Sequence, residues 1–316
     1  MKKYILLVSI FCICSFPVAA RSVKSHLNLT HPDKSGDFNI NRSMARDYFN
    51  VGTANINMDQ HDKAILYLTR AIELNPEFAQ AYLNRGHAYT RKGDLERAIS
   101  DYDRTIEIDP GLSLAYYNRG TAYFNLDQNR RAILDFNRAI ELNPGIADAY
   151  LNRGSAYYIL EQYEEAIPDF KRAIDLNPAL LYAYLNLGGS YYILGKYERA
   201  VSIYSKIIDL DPGFAIVYFE RGLAYYRMGN VNRAIFDFNR GIEIDPDHAG
   251  SYFYRGEAYA RKKEFAHAHA DYTRAIEKEP KNFWAYYVRA VANFNMGHYL
   301  RAAADLFRST ILWINK

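Results

Sequence analysis

"AYLNRG" stands at residues 81–86 and returns, letter for letter, at residues 149–154. The spacing between the copies is two periods of a longer rule: Pro76, Pro110, Pro144, Pro178, Pro212, Pro246 and Pro280 follow one another every 34 residues without a slip. A fixed period of that length marks a solenoid, in which each unit buries its apolar face only against its neighbours. Counting Ala45 as position 1, the eight units are 45–78, 79–112, 113–146, 147–180, 181–214, 215–248, 249–282 and 283–316.

Within a unit, apolar and small residues recur at three- and four-residue spacing through two stretches, which predicts two amphipathic helices, A and B. Position 4 is Tyr in all eight units, from Tyr48 to Tyr286; position 8 is Gly from Gly52 to Gly256 and Ala290 in the last; position 20 is Ala throughout, from Ala64 to Ala302. Small residues at 8 and 20 let the helices cross closely, and aromatic residues at 4, 11 and 24 fill the flanks. Gly93, Gly195, Gly229 and Gly297 fall between the helices, where a left-handed cap is wanted, and the Asn-Pro or Asp-Pro pair of most units ends helix B. Pro168, inside helix B of unit 4, is expected to remove one hydrogen bond there.

This pattern resembles the tetratricopeptide repeat family, over residues 45–316. The fold implied is all-α, an α-solenoid superhelix of eight helix-turn-helix repeats. Unit 1, with Asn55 for the second Tyr, and unit 8, with Asn293 there and Ile314 for Pro, depart from the pattern.

The Arg of "NRG" is position 7. It is present as Arg85, Arg119, Arg153, Arg221, Arg255 and Arg289, and replaced by Val51 and Leu187 in units 1 and 5. Position 23 follows it: Asp101, Asp135, Asp169, Asp237, Asp271 and Asp305, with Tyr67 and Ile203 in those same two units. Charges that appear and vanish together imply contact, so these are read as structural ion pairs within each unit. The basic residue at position 26 persists in all eight units and does not track the Asp.

The resemblance implies that A helices line the concave side, with positions 2, 6, 9 and 13 along it. Position 6 carries Asn50, Asn84, Asn118, Asn152 and Asn186, then Glu220, Tyr254 and Val288. An Asn ladder offers donors and acceptors to an extended peptide whatever its sequence, as in another member of the family; equally, the amides can bridge neighbouring helices. Tyr117, Phe124, Tyr158, Tyr192 and Tyr226 at positions 5 and 12 supply either ligand contact or packing between A helices. Units 1 to 4 present Thr53, His87, Thr121 and Ser155 at position 9, and units 5 and 6 present Gly189 and Leu223 with Ile193 and Ile216 nearby, so a polar stretch followed by an apolar one is expected. The Lys and Asn set by which chaperone-docking members hold a terminal carboxylate is missing, because position 5 is always Leu, Phe or Tyr.

The chain opens "MKKYILLVSIFCICSFPVAARS", with a basic start, an apolar run and small residues before a cut after Ala20. This reads as a signal peptide over 1–20, which predicts a periplasmic or secreted protein, with membrane attachment only through an uncleaved signal. Cys12 and Cys14 both lie in it, so the exported chain has no thiol chemistry. Residues 21–44 are polar and aperiodic and read as a flexible leader. With 49% apolar and 24% charged residues the chain is not of disordered composition, and its formal charge of +3 falls to near balance without Lys2 and Lys3, giving no reason to expect nucleic acid. No cofactor, metal site or catalytic set is expected: His267 and His269 sit on different helix faces, and the carboxylates recur at scaffold spacing.

The functional expectation is an exported scaffold binding a polypeptide along its groove in a cell-envelope assembly. The alternative is an oligomeric structural component working through its ends and convex face. In "ILWINK" and the turn before it, Phe307, Ile311, Leu312 and Trp313 form either an exposed self-association surface or a fold-back of Trp313 onto its own unit.

Overall fold

The computed structural model describes residues 34–315, with side chains from residue 40; the signal segment and the leader up to residue 33 lie outside the described residues. Every regular element among the described residues is a helix. The A helices are α1 (Lys34–Asn57), α3 (Ala79–Lys92), α5 (Ser113–Asn125), α7 (Ala147–Ile159), α9 (Leu181–Ile193), α11 (Ala215–Arg227), α13 (Ala249–Arg261) and α15 (Phe283–Asn295). The B helices are α2 (His61–Leu74), α4 (Leu95–Ile108), α6 (Asn129–Leu142), α8 (Tyr163–Leu176), α10 (Tyr197–Leu210), α12 (Val231–Ile244), α14 (Phe265–Lys278) and α16 (Tyr299–Ile314). None of them is long and apolar enough to cross a membrane.

One expectation needs correction. Residues 34–44, read as part of a flexible leader, are helical and continuous with the A helix of unit 1. No proline stands between Lys34 and Ala45, and once unit 1 nucleates a helix, each added residue extends it at little cost.

The Asn-Pro and Asp-Pro pairs end helix B by a specific device. The residue before Pro leaves the helix for extended backbone, as at Asn75 (φ −142°, ψ 90°), because Pro excludes the helical region there. Its side chain then accepts the N–H two residues on, at 3.0 Å for Asp109 to Gly111 and Asn143 to Gly145. Unit 8 has no such Pro, and α16 runs on to Ile314. Pro168 does not break α8, which is continuous through it.

Between A and B every unit places position 15 in the left-handed region. Glycine does so at Gly93, Gly195, Gly229 and Gly297 (φ 71° to 80°) as expected, and Asp59, Asp127, Glu161 and Lys263 (φ 57° to 63°) do so without a glycine. For Glu161 and Lys263 this backbone carries strain that a glycine would relieve.

The A–B crossing is tighter than small residues alone require. A Cβ on Gly86 would stand 2.7 Å from the Tyr102 ring, one on Gly154 2.9 Å from Phe170, and one on Gly222 2.7 Å from Phe238. Position 8 is therefore glycine because the ring at position 24 lies against its backbone, and those rings are fully buried. Stacking follows the same economy: position 3 is a buried Ala, Val or Ser in units 2 to 8 and position 10 a buried Ala or Ser. Successive A helices touch one another from α1 through α13, while successive B helices make no comparable contact, which puts the A helices on the inner side of the curve.

The Arg–Asp pairs form as read, and each Arg does more. Nε and Nη2 donate to both carboxylate oxygens of the Asp in its own unit at 2.6 to 2.9 Å in all six units. Nη1 reaches position 25 of the preceding B helix, at Thr69, Asp103, Asn137, Ser205, Asn239 and Thr273, over 2.6 to 3.2 Å. The guanidinium carbon also lies 5.5 to 5.9 Å from the ring of the Tyr at position 4. So each pair is a clamp between units. In unit 8, Asn293 adds a donor to Asp305 at 3.1 Å. At the unit 4 to unit 5 junction the clamp is replaced by packing: Leu187 and Ile203 join one apolar cluster, and position 25 is Lys171, whose Nζ lies 6.0 Å from the Tyr191 ring.

Burial pushes the Asp101, Asp169 and Asp237 carboxyls up, and the arginine pulls them back only in part. Such pairs hold register more than they add stability, and a lone member is worse than none. Replacing Asp169 alone by Ile should cost about 3 kcal/mol, whereas Arg153→Leu with Asp169→Ile, which copies unit 5, should cost less than either single change. Urea unfolding of the four proteins of this cycle measures the coupling. In the same assay Lys263→Gly should stabilise, and Gly93→Ala destabilise, by about 1 kcal/mol each.

Candidate binding groove

The candidate inner wall is the A-helix face that carries the amides of position 6 and the rings of positions 5 and 12. Asn84, Asn118, Asn152 and Asn186 are half-buried on it and Asn50 is exposed. Three of the ladder amides are already engaged between units. Asn84 donates to the Thr53 hydroxyl at 2.9 Å, Asn186 to the Ser155 hydroxyl at 3.3 Å, and Asn152 to the Tyr117 hydroxyl at 3.4 Å. In each case position 6 reaches back to the preceding unit, so the bridging reading holds for these three. The bond uses one donor and leaves the amide an acceptor and a second N–H.

Tyr117, Phe124, Tyr158, Tyr192 and Tyr226 are all half-buried. Tyr117 packs on Phe136 at 6.1 Å between centroids, and Tyr158 meets Tyr163 edge-on at 5.1 Å. The Tyr192 hydroxyl accepts from Arg227 Nε at 3.1 Å, and the Arg261 guanidinium lies 5.4 Å from the Tyr226 ring. Tyr192 and Tyr226 thus link successive A helices, Tyr117 and Tyr158 pack on the B helix of their own unit, and all five rings keep part of their surface open.

The apolar stretch expected at units 5 and 6 contains a carboxyl group that the ladder reading left without a role. Glu220, on α11, lies half-buried at the ladder position, and burial raises its pKa to about 7, offset only in part by the neighbouring Tyr204 hydroxyl. Tyr204 is itself fully buried, and its hydroxyl makes no hydrogen bond of normal geometry. The other two tyrosines at position 24 are satisfied: Tyr102 with Thr90 at 2.9 Å and Tyr272 with Glu257 at 2.6 Å. Both features had a signal in the sequence, a Glu in a run of Asn and a position-24 Tyr facing no Thr or Glu on its own A helix.

Away from the wall, a cavity of about 280 Å³ is lined by Arg130, Ile133, Tyr157, Leu160 and Gln162, none of them among the groove residues. No group of three or more His, Cys, Asp or Glu able to hold a metal occurs among the described residues. Trp313 is 62% exposed and Phe307 70%, so Trp313 is not folded back; Ile311 and Leu312 are half-buried beside them.

The tetratricopeptide repeat model matches residues 79–112, 113–146, 147–180 and 215–248, and a second model of that description matches 249–282. Further models of the repeat match 57–93, 188–229 and 271–304. The chain belongs to the tetratricopeptide repeat family. The matches in 34-residue phase fall on units 2, 3, 4, 6 and 7, and pass over units 1 and 5, which lack the Arg–Asp clamp, and unit 8, which lacks the glycine. Among curated proteins, none matches the chain at a significant level. Among solved structures it is similar to YrrB, described as a TPR protein with an unusual peptide-binding site: 29% identity over 58% of this chain and 95% of that one, TM-score 0.55. It is similar to MamA at 30% identity, over 55% of this chain and 95% of that one, TM-score 0.52. A repeat protein from Parabacteroides merdae shares the fold over 82% of this chain and 99% of its own, with 21% identity and a TM-score of 0.56.

A raised carboxyl pKa fixes the sign of a pH effect. Below its ordinary value of 4.5 Glu220 is protonated both folded and unfolded; as pH rises through 4.5 toward 7 the unfolded chain ionises first and the fold loses stability relative to it. Glu220→Gln should therefore leave stability unchanged at pH 4 and raise it at pH 8, by on the order of 2 kcal/mol. Urea midpoints at the two pH values measure this.

Proposed function

We propose that this protein is a non-catalytic scaffold whose concave wall binds an extended polypeptide, after export by the signal segment at residues 1–20, within a cell-envelope assembly. The observation that carries the reading is the state of the inner wall: its Asn and Tyr side chains are half-buried from unit 2 to unit 6, and so remain in reach of another chain. A bridged Asn still offers hydrogen-bonding capacity to a peptide backbone, and half-buried Tyr offers large contact area at low entropic cost. The likeness to YrrB supports a peptide as the ligand. Export rests on the sequence of residues 1–20.

A second reading, self-association, is favoured by one further observation. Leu300, Phe307, Trp313 and Ile314 on α16 are 89%, 70%, 62% and 69% exposed, a larger apolar patch than isolated surface residues produce.

A displayed random peptide library selected on the protein tests the groove. Selected peptides should bind about tenfold more weakly to a Tyr117→Ala/Asn118→Ala/Asn152→Ala variant and with unchanged affinity to Leu134→Ser, on the exposed face of α6. Equal loss from both variants would move the site off the inner wall. Sedimentation at several concentrations, with and without Phe307→Ser and Trp313→Ser, tests the second reading: a concentration-dependent dimer abolished by the substitutions supports it, and a monomer throughout excludes it.

A further inference from the structure

At the seven junctions inside the array, the outgoing face of a unit is covered by the A helix of the unit that follows. In units 1 to 7 the residue at position 24 is at most 1% exposed; in unit 8 its counterpart, Leu306, is 44% exposed. Phe294 and Tyr299, at positions 12 and 17, are exposed too, where every counterpart is at least half-buried. With Phe307 at position 25 they make an apolar face that lacks the helix found on the other seven.

The opposite end is uncovered in the same register. On α1, Asp47, Val51 and Ala54 at positions 3, 7 and 10 are exposed, whereas positions 3 and 10 are buried in every later unit. Val51 is 42% exposed and its apolar counterpart Leu187 only 2%. Met58 is exposed at position 14, from which Leu160 faces Ile133 of the preceding B helix across the small cavity. A terminal unit built to face water carries a polar outer face, and these two faces are largely apolar.

The two faces also obey the rule of the interior. Wherever position 25 offers an acceptor, position 7 of the following unit is Arg; where it is Lys171, position 7 is Leu187. If unit 1 of a second copy follows unit 8, Phe307 meets Val51 and the rule is kept at that junction as well. A two-fold pairing of unit 8 faces would instead set bulky rings against one another, where interior junctions insert small residues, and would leave Val51 and Met58 bare. We propose that copies of this chain associate head to tail, the unit 1 face of one docking on the unit 8 face of the next as a further inter-repeat junction. The contact rests on the self-association reading and names the surface that α16 meets. Asp47 weakens it. Position 3 lies against position 27 of the preceding unit, as shown by the Ser251 hydroxyl, 3.5 Å from a Cβ built on Gly241. Asp47 is thereby set against Ser309, whose hydroxyl is already given to the Phe283 carbonyl at 2.9 Å. A carboxylate that loses water without gaining a donor keeps the contact reversible.

Sedimentation of the full chain at several concentrations, beside three variants, tests this. Val51→Glu and Phe307→Glu each change an exposed side chain, and circular dichroism establishes that both are folded. Each alone should be monomeric, and an equimolar mixture should form a one-to-one dimer, because each variant keeps the face that the other has lost. Asp47→Ala, which supplies the small residue of the interior units, should tighten association about fivefold. Association of Val51→Glu at wild-type strength, the absence of a dimer from the mixture, or an unchanged constant for Asp47→Ala overturns the head-to-tail contact. If Phe307→Glu is then still monomeric where the wild type associates, self-association through α16 stands without it. A wild-type chain that is monomeric at every concentration overturns both.

Discussion

The contact on which the rest of the molecule depends is a ring lying against a glycine. In a lone helical hairpin the apolar face has no cover, and only close approach of the two helices makes the unit thin enough to stack at short intervals. Gly86, Gly154 and Gly222 allow this because a single methyl group there would overlap the buried ring at position 24. The end units confirm the coupling by varying it. Unit 1 keeps Gly52 and sets Leu68 against it, while unit 8 carries Ala290 and Leu306 at the two positions, so the glycine and the ring are both gone. Volume is moved between partners across the crossing, as a close-packed interior demands.

Once the hairpins are thin, their register along the stack has to be specified. Apolar stacking of small residues at positions 3 and 10 is permissive, since Ala against Ala tolerates a small slide. The arginine clamp is not, because its fork must find the Asp of its own unit and the acceptor of the preceding helix together. Burial offsets much of what the ion pair gains, which leaves direction as its main contribution. The unit 4 to unit 5 junction shows what replaces it: Leu187, 2% exposed, and Ile203 hold that interface by shape, and no acceptor is kept at Lys171.

Much of this was legible from one chain because a repeat protein prints each contact several times. Unit boundaries, the helix stops at Asn-Pro, the glycine caps and the Arg–Asp pairs all recur at a constant offset, so coincidence in position stands for coincidence in space. The third arm of the clamp recurs too, and could have been found: position 25 is an acceptor before every unit that has the Arg, becomes Lys171 before Leu187, and Phe307 where no unit follows in this chain. It lies outside the unit that carries the arginine, in the helix before it, and a comparison within units does not reach it. Asp59, Asp127, Glu161 and Lys263 were opaque for another reason. Their left-handed backbone is imposed by the neighbouring helices, for Glu161 and Lys263 against residue preference, and no glycine announces it. The same holds for residues 34–44, where a polar and aperiodic stretch is carried into a helix by the unit that follows it.

The inner wall was the least legible part because its chemistry depends on two units at once. Asn84 in the sequence is only an amide at a groove position; that it is spent on Thr53 becomes visible when unit 1 is set beside unit 2. Glu220 in the sequence is only an acid in place of a ladder amide; that its carboxyl is raised by burial beside the fully buried Tyr204 becomes visible when unit 5 is set beside unit 6. Nearest-neighbour energetics explain why the array tolerates it. The cost of a buried carboxyl and an unpaired hydroxyl falls on one junction, while five clamped units and their rings hold the remainder in place. Because each repeat contacts only its neighbours, a solenoid confines a defect of this kind to the interface that carries it.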